Sequence, residues 1–180
     1  MITSLIATVF TLAHRYTRVY HQLSTAQREC SQCLARIGQL LERSRSDTLE
    51  PPAGVDACWF LSSVPPANVP DTSTFDSTNG ELQYHKWQAI YLRSDGQVLA
   101  AELPLGGGAA VYEVAILNPA PGALTNFLTA PSQRVLARSI RRFVVRPESS
   151  RMIEVQVEAQ TTESGNPATR YLLSSSFPGH

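Results

Sequence analysis

The sequence carries no excess of charge of either sign. Its 15 Lys and Arg balance 15 Asp and Glu over 180 residues, which excludes a global field that would recruit nucleic acid or an anionic membrane. Cysteine is scarce: Cys30, Cys33 and Cys58 cannot all pair within one chain, and they are too few for the disulfide framework of a small secreted scaffold. No apolar run is long enough to cross a bilayer. Met1 to Ala13 is uncharged, but a helix of that length covers about 20 Å of a hydrocarbon core roughly 30 Å thick. The same segment lacks the basic start and small-residue cleavage site of a secretory signal, so it reads as part of the structure. A Gly-x-Ser-x-Gly elbow is absent, and Gly106-Gly107-Gly108 is not followed by the Lys-Ser/Thr of a phosphate-binding loop. The expectation is a protein without catalytic machinery and without a cofactor.

What is present begins with a long helical pattern. Ile2, Leu5, Val9, Leu12, Tyr16, Val19, Leu23, Ala26, Cys30, Cys33, Ile37 and Leu40 recur at alternating three- and four-residue steps, the a/d rhythm of a helix with one apolar seam. No proline interrupts it, Gly38 is its one internal glycine, and Ser44-Arg45-Ser46-Asp47 with Pro51-Pro52 supplies the stop. This predicts one helix from about Thr3 to about Ser44, about 60 Å long. The remaining chain is too small to cover such a rod. Residues 1–20 should therefore project, while the half from His14 onward, with Arg15, Arg18, Gln22, Arg28 and Glu29 on a wet side, suits a sheet. The projecting seam residues Ile2, Leu5, Val9, Leu12, Tyr16 and Val19 are the candidate partner-binding set.

After the helix the period changes to two. Cys58 to Ser63, Lys86 to Arg93, Gln97 to Leu103, Val111 to Leu117, Arg134 to Arg146, Arg151 to Gln160 and Arg170 to Ser176 read as about seven strands. Ser94-Asp95-Gly96 between two of them is a hairpin signal. Ile153, Val155, Val157 and Ala159 alternate with Met152, Glu154, Gln156 and Glu158, as expected of an antiparallel sheet with one wet face. Residues 64–80 and 118–133, rich in Pro, Ser, Thr, Gly and Asn, read as surface loops. The expected architecture is α+β, with residues 1–45 forming the helix and 46–180 a sheet domain laid on its C-terminal half.

Cys30-Ser31-Gln32-Cys33 has the spacing of a redox pair, but it falls mid-helix on the seam, where packing is the better reading; a disulfide from Cys33 to Cys58 is the alternative. His14 and His21 stand too far along the rod from the cysteines to share a zinc ion, so no metal site is expected. His85 reads as structural. Arg134, Arg138, Arg142 and Arg146 would share one face of one strand, a stripe able to hold DNA. A hairpin about Pro147-Glu148-Ser149, with Phe143 opposite Ile153, would instead pair Arg142 with Glu154 and Arg138 with Glu158. That register makes nucleic acid an unneeded explanation.

The order of parts resembles the minor pilins of type IV pili and the J-type minor pseudopilin of type II secretion. The resemblance rests on LARIGQLLERS (Leu34 to Ser44), WFLSS (Trp59 to Ser63), NGELQYHKWQAIYLRSDGQVLAAELPL (Asn79 to Leu105) and RVLARSIRRFVVRPESSRMIEVQVEA (Arg134 to Ala159). It implies a pilin-like fold and a non-catalytic subunit of an inner-membrane, periplasmic or cell-surface filament, joined to other pilin or pseudopilin subunits through its N-terminal helix. The family opens on a basic leader, a cleavage site and a Phe-Thr-Leu-Ile-Glu-like start. Here Phe10-Thr11-Leu12 runs into Ala13-His14, so the numbered chain is expected to begin inside the helix, with inner-membrane contact only if it is longer in the cell. The rivals are a DNA-contacting minor pilin and a helix-anchored secreted enzyme or ligand-binding β domain.

Overall fold

The computed structural model describes residues 2–42, 44, 46–50, 56–65, 75, 80–116, 123–149, 152–161 and 169–178. Helix α1 spans Ile2–Leu41, close to the range that the seam predicts. Three of its threonines bond back onto the helix: the hydroxyls of Thr11, Thr17 and Thr25 donate to the carbonyls of Ala7, Ala13 and His21. At the C-terminal end, the backbone N–H and hydroxyl of Ser44 both donate to the Leu41 carbonyl, closing the last turn on its own orphan acceptor.

Nine strands follow among the described residues, in three antiparallel sheets rather than the single seven-stranded sheet expected. β1 (Ala57–Ser62), β3 (Lys86–Leu92), β4 (Val98–Pro104) and β6 (Ser132–Ala137) form the first, in the order β1-β3-β4-β6. β7 (Ile140–Ser149), β8 (Met152–Thr161) and β9 (Thr169–Pro178) form the second. β2 (Gln83–Tyr84) and β5 (Ala110–Val111) make a short pair. The Asp-Gly signal is a hairpin: β3 and β4 pair from Lys86 with Pro104 to Leu92 with Val98. Gly96 supplies the positive φ of 80° at its tip. Asp95 accepts from the Gln97 N–H and pairs with Arg93, whose hydrogen bond holds this carboxyl below its usual range.

The two large sheets obey different burial rules, and this is why the wet-face expectation holds for only one. β8 alternates strictly, with Ile153, Val155, Val157 and Ala159 buried. β1 is buried throughout, because the first sheet is covered on both faces. On one face Cys58, Phe60, Ile90, Val98, Ala100 and Leu136 join Ala26, Cys30, Cys33, Leu34, Ile37, Leu40 and Leu41 of α1 and the inner residues of β7 and β8 in one core. On the other, Trp59, Leu61, Trp87, Tyr91 and Leu99 are roofed by two short helices, α2 (Tyr112–Ala115) and α3 (Thr125–Leu128), through Ala115 and Phe127. Trp59 and Phe127 stack at 5.8 Å.

Those helices correct two expectations: of the expected strand Val111 to Leu117, Tyr112 to Ala115 is helix, and the described part of the expected loop at 118–133 holds α3 and the start of β6; residues 117–122 lie outside the described residues. Of the expected loop at 64–80, most lies outside the described residues; Phe75, which is described, bridges Leu82.

The expected strand from Arg134 to Arg146 is broken at Ser139, which takes a φ of 58°, so that β6 and β7 enter different sheets. The hairpin register also differs. Phe143 faces Val157 and not Ile153, Arg142 faces Glu158, Arg146 faces Glu154, and Val144 faces Gln156. The expected turn residues Pro147 to Ser149 continue β7, and the partner strand is slid by four residues. An even slide keeps each side chain on its face, so the sequence pattern alone did not distinguish the two registers.

Candidate assembly surface on the helix

The seam divides sharply along α1. From Ala26 onward its residues are buried: Ala26, Cys30, Cys33 and Ile37 are each at 0% exposure. N-terminal to that, Val9 is 62% exposed, Leu12 50%, Tyr16 71% and Val19 48%. The side chains of Ile2 and Leu5 lie outside the described residues. Ile6, Phe10 and Tyr20, off the seam, are exposed as well, giving the projecting half apolar groups on several faces. Ile6 and Phe10 were visible in the uncharged run before Ala13, whereas Tyr20 sits among polar residues and had no such signal. Among the described residues no helix is long and apolar enough to cross a membrane.

The cover ends where a groove of about 480 Å³ opens between α1 and the end of β8, lined by His14, Arg18, His21 and Thr25 with Thr161. Just below it Glu29 bridges helix and sheet: its Oε2 accepts the Arg138 backbone N–H at 3.0 Å. The Arg36 guanidinium caps the Leu136 carbonyl. The helix therefore docks through an apolar stripe with polar ties to β6 and the β6–β7 corner.

The four arginines of the expected stripe do not share one strand. Arg134 lies on β6 opposite Ala100, Arg138 lies at the corner, and Arg142 and Arg146 lie on β7 facing carboxylate-bearing residues of β8. Arg141 is explained by a bulge: the ladder shifts between Ile140 and Arg142, leaving Arg141 as the extra residue, exposed and donating to Gln160 Oε1 at 3.0 Å.

All three cysteines are free, buried thiols, so the Cys33 to Cys58 disulfide is not formed. Burial pushes Cys33 and Cys58 each up to about 12 and raises Cys30, whose Sγ lies 3.5 Å from the Tyr171 carbonyl. Such thiols are packing groups, not redox nucleophiles. His85 is buried as well. Sequence reasoning missed a buried ion pair, Lys86 Nζ to Glu102 at 2.8 Å, with Lys86 only 3% exposed. The alternation that places Lys86 beside Gln88 and Ile90 on the helix-facing side was the available signal. Among the described residues, no three His, Cys, Asp or Glu side chains converge as metal ligands would.

No family model, curated protein or solved structure matches the chain.

Proposed function

We propose that the chain is a non-catalytic, pilin-like subunit, of the minor pilin or pseudopilin kind, that assembles with other subunits through the projecting half of α1. The observation that carries this reading is the exposed seam. Val9, Leu12, Tyr16 and Val19 continue, without a break in rhythm, the stripe that buries Ala26 to Leu40, yet the described sheets leave them bare. A stripe of that kind is costly to leave in water, at about 25 cal/mol per Å² of apolar surface. The same helix register that docks the sheet in one half would dock a neighbouring helix in the other. Such a subunit would work at the inner membrane and periplasm or in a surface filament. The quoted sequence resemblance supports the filament class.

The reading is tested by complementation. In cells lacking the chain, Val9→Asp with Leu12→Asp should fail to restore the surface filament or secretion function that the unaltered chain restores. Purified, the variant should keep its melting temperature within about 2 °C, because exposed positions carry little folding energy. Full complementation by this variant would overturn the proposal.

A further inference from the structure

We propose that the outer edge of β9 is a self-association surface: a second copy of this chain adds its own β9 there, antiparallel about a two-fold axis, and joins the two three-stranded sheets into one. The inference is independent of the assembly reading of the helix. It begins with how the chain treats its sheet edges. A bare edge strand is a template for pairing with another chain, so folded proteins cover or blunt it. Three of the four edges of the two large sheets are treated in this way. The outer edge of β1 is taken by the segment after α1: Glu50 and Trp59 exchange backbone hydrogen bonds, and the Leu61 N–H donates to the Thr48 hydroxyl. The edge of β6 is capped from α1, by Arg36 on the Leu136 carbonyl and by Glu29 on the Arg138 N–H. β7 carries the bulge at Arg141, the further cations Arg142 and Arg146, and Pro147, each a feature that discourages pairing.

Among the described residues β9 shows none of these. It pairs with β8 from Thr169 to Pro178 without a register shift, and no described strand takes its other side. Its sequence, Thr-Arg-Tyr-Leu-Leu-Ser-Ser-Ser-Phe-Pro, holds a single charge, and that arginine, Arg170, leans back toward Glu158 of β8 at 3.9 Å. Its proline stands at the last position, where it ends the strand without interrupting it. Leu172 and Ser174 are exposed, while Tyr171, Leu173 and Phe177 lie half-buried along the margin of the core.

Edge guards protect a chain first from its own copies, which are present wherever it is made. A chain that guards three edges and leaves the fourth bare admits its own copy at that edge. The sequence of β9 also suits itself. A two-fold axis through one joined sheet keeps each side chain on its own face when a residue lies on the axis. With Ser174 there, Tyr171 stands opposite Phe177 of the copy, and Phe177 opposite Tyr171. Leu173 then meets Ser175, Leu172 meets Ser176, and Arg170 meets Pro178. Aromatic residues face each other on the core side, and no like charges oppose. The axis also reverses α1 between the copies. Because His21 and Thr25 lie beside Thr161, which pairs with Thr169, the projecting halves leave from opposite ends of the joined sheet and their seams stay open.

The test uses the full chain in sedimentation equilibrium over a series of concentrations. One added ladder buries less area than a permanent dimer does, so a concentration-dependent equilibrium between monomer and dimer is expected. Ser174→Lys sets two ammonium groups against each other on the axis and should leave only monomer, with an unchanged melting temperature showing that the fold is intact. Ser174→Cys should give a disulfide-linked dimer on mild oxidation, because residues paired across an antiparallel ladder have Cα atoms about 4.5 to 5.5 Å apart, within disulfide reach. The native thiols are buried and do not compete. A chain that is monomeric at every concentration, a dimer that survives Ser174→Lys, or a dimer that Ser174→Cys does not cross-link would each overturn the inference. A dimer dissolved by Val9→Asp with Leu12→Asp would overturn it as well, by placing self-association on the helix seam.

Discussion

At Cys33 and Cys58 the cost of ionisation is set by the interior, and a pH dependence follows. Both thiols rise from an ordinary 9.0 to about 12, with burial the main cause. The fold thus holds protons that the unfolded chain releases. The stability these groups contribute is fully present below about pH 9 and is lost progressively as pH rises from there toward 12. Urea denaturation at about pH 8 and about pH 10.5 should show the midpoint falling, and Cys58→Ala should show a smaller fall. An identical fall in the variant would mean that Cys58 ionises in the fold as it does in water. The same protonation predicts that neither thiol is alkylated at neutral pH until the protein is unfolded.

Gly38 of α1 packs against Phe177 of β9, where the fit is tested by one methyl group. A Cβ built on Gly38 would stand 2.5 Å from Phe177 Cε1 and 3.0 Å from Cδ1. Gly to Ala inside a helix ordinarily stabilises by about 1 kcal/mol, but overpacking against a ring costs about 1 to 3. Gly38→Ala should therefore destabilise the protein, and in a Phe177→Ala background the same change should stabilise it by about 1 kcal/mol. Equal effects in both backgrounds would show that β9 yields freely. The elements themselves were unequally legible. The α1 seam and the β3–β4 hairpin declared themselves because rhythm and Asp-Gly chemistry are local. The break between β6 and β7 did not: Ser139 takes a left-handed conformation without being Gly or Asn, and the bulge at Arg141 restores Phe143 and Val145 to the face that Leu136 and Ile140 share. The double-sided burial of the first sheet was hidden as well, since α2 and α3 are four residues each, too short to carry a helical period.

For the molecule as a whole, the asymmetry of cover implies an asymmetry of motion along a single helix. Half of the candidate site was readable in advance because the seam is a repeating pattern; where cover stops was not, since it depends on how far three separate strands reach. From Ala26 to Leu41 the seam is locked into a core shared with both large sheets, so the amides there should exchange only with global unfolding. From Ile6 to about Leu23 every side chain but the half-buried Gln22 is exposed, and a helix of that length has little stability of its own in water. Amide hydrogen exchange on dilute protein should show fast exchange over the first five turns, a steep rise in protection between Leu23 and Cys30, and the slowest amides in β3 and β8. Adding an assembly partner should slow the N-terminal amides while leaving β3 and β8 unchanged, because those strands are already sealed. Uniform protection along all of α1 at high dilution would mean that the exposed half is held without a partner, and the argument that its seam exists to be covered would fail.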